Sequence, residues 1–75
     1  MSRELPTLKP AKVLWALQRT GFFIHHTKGS HYYLIRIKPG VRVTVPCHSG
    51  DLKRRTLVSI VEQSGYSIEE FLELL

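Results

Sequence analysis

In the stretch "KGSHYYLIRIK", residues 28–38, His31 follows a Gly-Ser pair and heads a run of aromatic and branched residues. Imidazole is the side chain that most readily takes up and releases a proton near neutral pH. Around it, Gly29 permits a tight turn, Ser30 offers a hydroxyl to a neighbour or a phosphate oxygen, and Lys28 brings a cation. That grouping suits proton transfer at a phosphodiester. RNA carries its own nucleophile, the 2′-OH, so its cleavage needs proton removal, proton donation and stabilisation of charge on phosphorus, with no nucleophilic side chain and no metal cluster. The alternative is structural, a half-buried strand histidine held by one hydrogen bond. The local sequence leaves both open.

The remaining candidates are weaker. His48, in "PCHSGD", could carry a second proton, bind phosphate or order its loop through a hydrogen bond. His25 and His26 are adjacent on a strand and are expected on opposite faces, so they should not serve one site. Four histidines and Cys47 show neither the i, i+4 helical spacing nor the C-x-x-C spacing of zinc sites, so neither metal nor cofactor is expected. Cys47 as a nucleophile would need an ordered base such as His48, and adjacent turn residues seldom aim at one point.

Lys28, Arg36, Lys38 and Arg42 lie in or beside strands, while Lys53, Arg54 and Arg55 form a run at a helix start. There they oppose the helix dipole unless an anion lies against them, so the run is either a phosphate contact or a solvated end. Tyr32 and Tyr33 could stack on bases, though one of the two is expected in the core.

The elements that must position these residues can be read from periodicity. Pro10 to Thr20 reads as a helix with Val13, Leu14 and Leu17 on its buried stripe; Trp15 falls off that stripe, and Gly21 follows the helix end. Residues 22–27, 31–37 and 41–45 read as strands joined by links short enough for hairpins, with Val41, Val43 and Val45 on one face of the third. Alternation groups His31 with Tyr33, Ile35 and Ile37, the more apolar set, which places His31 at the rim of the core face unless the strand bends at its start. A second helix carries Leu57, Ile60 and Val61 and stops at Gly65; Ser67 with Glu70 is a capping-box pattern opening a last short helix within residues 66–75. The expected architecture is α+β, α-β-β-β-α, a three-stranded antiparallel sheet with helices on one face.

Seventy-five residues make one domain, 1–75, with residues 1–9 expected as a flexible N-terminal arm. With 43% apolar and 23% charged residues, the chain belongs with folded proteins and not with disordered tails. Residues 1–55 hold all eleven bases and two acids, for +9, whereas residues 56–75 hold four acids and no base, for −4. The basic part has the footprint of a polyanion binder. A single cysteine and an N-terminus without the apolar core of a signal peptide lead us to expect a reducing, cytoplasmic setting and no membrane segment.

"KGSHYYL", then "VTVPCH", then "LKRRTLVSIVEQSGYSIEEFLELL" resembles the HicA (YcfA-like) toxins, whose signature is Gly-Ser-His followed by aromatic or aliphatic residues, a later Pro-x-His, and a Thr-Leu-x-x-Ile-x-x-x-x-Gly run. The resemblance implies a fold like that of double-stranded-RNA-binding domains, an mRNA-cleaving activity with His31 as the catalytic residue, and restraint by a HicB-like antitoxin. Lys28, Ser30, Arg36, Lys53, Arg54 and Arg55 are then the expected RNA contacts, with His48 secondary. One position departs: Arg55 stands before the Thr-Leu pair where the family commonly has Gly, adding a charge at the helix start. Two other functions share the charge pattern, a non-catalytic RNA-binding module and a pure protein-interaction domain.

Overall fold

The computed structural model describes residues 4–75, as α1 (Pro10–Gln18), β1 (Phe23–Lys28), β2 (His31–Arg36), β3 (Val41–Pro46), α2 (Arg54–Ser64) and α3 (Ile68–Glu73). The strands form one antiparallel sheet in the order β1-β2-β3, and the helices bury their apolar stripes against one side of it. This is the expected α+β arrangement.

Each helix has a sequence cause. Pro10 opens α1, and Val13, Leu14, Ala16 and Leu17 are buried. Trp15 points outward, 46% exposed, with Lys12 Nζ 4.0 Å and the Arg19 guanidinium 4.7 Å from its ring centroid. In α2 the buried stripe is Leu57, Ile60, Val61 and Ser64. The buried Ser64 hydroxyl donates to the Val61 carbonyl at 2.6 Å, so its polarity is met within its own helix. Gly65, at φ 85°, closes α2 in the left-handed conformation that glycine adopts without strain. α3 opens with the capping box: Ser67 N–H donates to Glu70 Oε1 at 2.8 Å and Glu70 N–H to Ser67 Oγ at 3.1 Å. Six residues are too few to hold a helix by propensity. Burial of Phe71, worth about 2–3 kcal/mol, holds it instead.

The face of β2 that meets the helices is the one carrying Leu34, which is fully buried beside Val43 and Val45, with Tyr32 and Val41 packed around them. His31, Tyr33 and Ile35 therefore occupy the open face, and His31 is exposed. This corrects the placement of His31 at the rim of the core face. Apolar content misleads here because the core side also accommodates Arg36. Its guanidinium donates to Tyr66 Oη at 2.8 Å and lies 4.7 Å from the Phe22 ring centroid and 5.6 Å from that of Tyr66. An arginine can cover a core with its stem while its head finds a partner at the margin.

Three further expectations change. A bulge interrupts the pairing of β1 with β2 between Ile24 and His26, so His25 and His26 do not alternate; their Nδ1 atoms lie 2.9 Å apart. Of the arm expected over residues 1–9, Met1 to Arg3 lie outside the described residues, while Leu5 and Leu8 sit in the core and the Leu8 carbonyl accepts the Leu52 N–H at 2.8 Å. From Leu5 onward the segment is packed. Phe22 and Ile37 fall outside the strands for opposite reasons, Phe22 being buried beneath Arg36 and Ile37 lying 70% exposed in the β2–β3 turn.

Candidate active site

Gly29 and Ser30 form the two-residue turn between β1 and β2, with Gly29 at φ 58°. That left-handed value is costly for residues with a Cβ, which explains the glycine before Ser-His. The turn makes Lys28 and His31 a cross-strand pair. Directly opposed residues of an antiparallel pair share a face with Cβ atoms about 5 Å apart, so Lys28 and His31 project from the same open face with the cation within reach of the imidazole. Both are exposed, as are Gly29 and Ser30. A histidine on the central strand is reachable because it stands at the strand's first position on the uncovered side.

On its other flank His31 pairs with Pro46. The Cys47 N–H then donates to the Ser30 carbonyl, fastening the segment after β3 onto the hairpin turn. This brings the "CHSGD" loop to the same end of the sheet. His48 is exposed there, its Nδ1 3.8 Å from where a Cβ on Gly50 would stand. Cys47 is a free, half-buried thiol.

α2 follows this loop, and beyond its far end Tyr66 meets Arg36 at the opposite end of β2 from His31. Lys53 is the N-cap and contributes no side-chain cap; Arg54 and Arg55 follow, exposed, with no acid in the first turn. The helix start thus presents uncapped N–H groups and three cations, an arrangement that favours an anion.

Of the residues singled out in the sequence, Lys28, Ser30 and His31 meet at the hairpin, and the bond from Cys47 to Ser30 ties the segment that carries His48 to it, while Arg54 lies beside Leu5, Pro6 and Thr7. Arg36 does not join them. It lies five residues from His31, about 16 Å along the strand, on the opposite face and bound to Tyr66. The sequence reading missed the open face itself, where His26 stacks on Tyr33 with ring centroids 4.5 Å apart and planes 6° from parallel. That contact follows from the hairpin register, in which His26 pairs with Tyr33. Among the described residues no group of three or more His, Cys, Asp or Glu side chains is arranged to hold a metal ion, and no helix is long and apolar enough to cross a membrane.

The fold and site define a small one-sided α+β domain with a reachable histidine heading the central strand of its sheet. The sequence profile of the HicA toxins of bacterial toxin–antitoxin systems matches residues 11–66, from within α1 through the whole sheet and α2 to Tyr66. The chain belongs to that family, which makes it a toxin component with an antitoxin as its partner. Among curated proteins none matches the chain.

Proposed function

We propose that the protein is a metal-independent endoribonuclease that cleaves mRNA, with His31 as its catalytic residue. The observation that carries this reading is the exposed imidazole of His31 at the mouth of the central strand, directly across from Lys28. One imidazole takes the proton of an RNA 2′-OH while that oxygen bonds to phosphorus. The P–O5′ bond breaks, and the departing 5′-oxygen takes a proton from a general acid, leaving a 2′,3′-cyclic phosphate and a 5′-OH. His31 fills one of these roles, and His48, on the loop tied to Ser30, is the candidate for the other. Lys28 stabilises the charge that builds on the non-bridging oxygens. Ser30 and the Lys53–Arg55 helix start hold flanking phosphates.

Arg36, expected among the RNA contacts, has no part in this scheme because its guanidinium is committed to Tyr66 on the other face. A HicB-like antitoxin with an acidic surface would inhibit by covering the basic end and His31 together, neutralising charge and blocking substrate. An mRNA substrate places the protein in the cytoplasm.

RNA in which the nucleotide at a mapped cleavage site is replaced by its 2′-deoxy form tests the chemistry. The reading predicts that cutting at that site stops and that products from unmodified RNA end in cyclic phosphate. Cleavage of the deoxy-substituted bond, or products with 5′-phosphate ends, would contradict it.

A further inference from the structure

We propose that the open face of the sheet is a subsite for one unpaired nucleotide of the RNA, whose base extends the His26–Tyr33 stack. The proposal rests on the ribonuclease reading for its purpose, though not for its geometry. A hollow of about 420 Å³ lies on this face, lined among others by His25, His26, Tyr33, Ile35, Arg42 and Thr44. That is within the range of small-ligand sites. Its floor comes from β2, its walls from β1 and β3.

The chemistry of the lining favours a nucleotide. The near-parallel His26 and Tyr33 rings already adopt the geometry by which a base stacks on an aromatic side chain. The Nδ1 to Nδ1 contact of 2.9 Å between His25 and His26 requires one ring to donate and the other to accept, and so restrains the His26 ring. Across the hollow Arg42 is exposed, a cation and planar donor for a phosphate or a base edge. Ile35 and the half-exposed Phe23, paired across the strands, continue the apolar surface.

Position supplies the remaining argument. Tyr33 stands two residues from His31 on the same face, about 7 Å along the strand, so a base in the hollow lies beside the phosphodiester presented to His31. Bases held in a duplex cannot reach such a platform, because their faces are stacked on one another. The substrate class is therefore single-stranded RNA, and the sequence tolerance of stacking predicts little base preference.

The test is equilibrium binding of a dye-labelled oligoribonucleotide, single-stranded or annealed to its complement, to full-length protein carrying His31→Ala so that the RNA stays intact. The single strand is expected to bind at least 10-fold tighter than the duplex. His26→Ala should weaken single-strand binding roughly 5- to 100-fold without changing its salt dependence, since no phosphate contact is lost. His26→Phe, which keeps an aromatic face, should bind within about 3-fold of the parent, separating stacking from misfolding. Equal affinity for duplex and single strand, or unchanged affinity in His26→Ala, would overturn the proposal. So would His26→Ala losing antitoxin binding alone, which would assign the face to the protein partner. If the unsubstituted protein proves unable to cut RNA while His26→Ala still loses single-strand affinity, the ribonuclease reading fails and the subsite stands.

Discussion

Lys28 and His31 face each other across the two-residue Gly29-Ser30 turn, so the cation and the imidazole are set by one local element and not by distant packing. If Lys28 stabilises charge that develops only during cleavage, Lys28→Ala should lower kcat by about 10- to 100-fold and leave KM within about threefold. A rise in KM at constant kcat would make Lys28 a ground-state phosphate contact instead.

The turn that sets this pair depends on the left-handed Gly29. Nothing lies within 4 Å of where its Cβ would be, so Gly29→Ala meets backbone strain without a clash. We expect a loss of about 1–2 kcal/mol and a Tm lower by roughly 4–8 °C for each kcal/mol. Gly29→Asn should cost less, because Asn tolerates this region better. Thermal unfolding of the three proteins orders them; equal Tm values would mean that the turn relaxes to another conformation.

Arg36 and Tyr66 form a structural bond, far from His31. Arg36 Nε is buried with no partner, and Nη1 anchors the guanidinium by its bond to Tyr66. Tyr66→Phe should destabilise the fold by about 1–3 kcal/mol while kcat of the folded protein at 25 °C is unchanged. A loss of kcat at constant Tm would restore Arg36 to the reaction.

At the start of α2, stability and binding are opposed. Lys53 occupies an N-cap position without capping it, so Lys53→Ser should stabilise the fold by about 1 kcal/mol. If Lys53 contacts a phosphate as proposed, the same change should also flatten the plot of log affinity for single-stranded RNA against log salt by about 0.7. Higher Tm with an unchanged salt slope would show that RNA passes elsewhere.

Much of the fold was legible because its elements rest on local signals. The stripes of α1 and α2, the clean alternation of Val41, Val43 and Val45, the Gly65 stop and the Ser67–Glu70 capping box all mean in the structure what they mean in the sequence. What failed depended on tertiary partners. Both faces of β2 carry apolar residues, and the choice between them is made by Leu34 against the helices and by Tyr66 receiving Arg36, neither visible from the strand alone. The β1 bulge leaves no mark in residue type, so the approach of His25 to His26 could not be foreseen. Leu5 and Leu8 read as a tail because they precede the first periodic element, yet they close the core beside Leu52. His31 was legible as the head of a strand, but its pairing with Lys28 was not, because the first strand was expected to end at Thr27 and runs on to Lys28. The separation of Arg36 from His31 also follows from their odd spacing, since strand positions five apart face opposite ways.

The most direct measurement is single-turnover cleavage of a defined RNA in excess EDTA by the unsubstituted protein and by His31→Ala. His31 is exposed, so the substitution should shift stability by no more than about 0.5 kcal/mol, and rates can be compared between equally folded proteins. The account predicts cleavage by the unsubstituted protein and a fall of at least about 100-fold in His31→Ala. Equal rates for the two proteins, or loss of cleavage by the unsubstituted protein in EDTA, would contradict it.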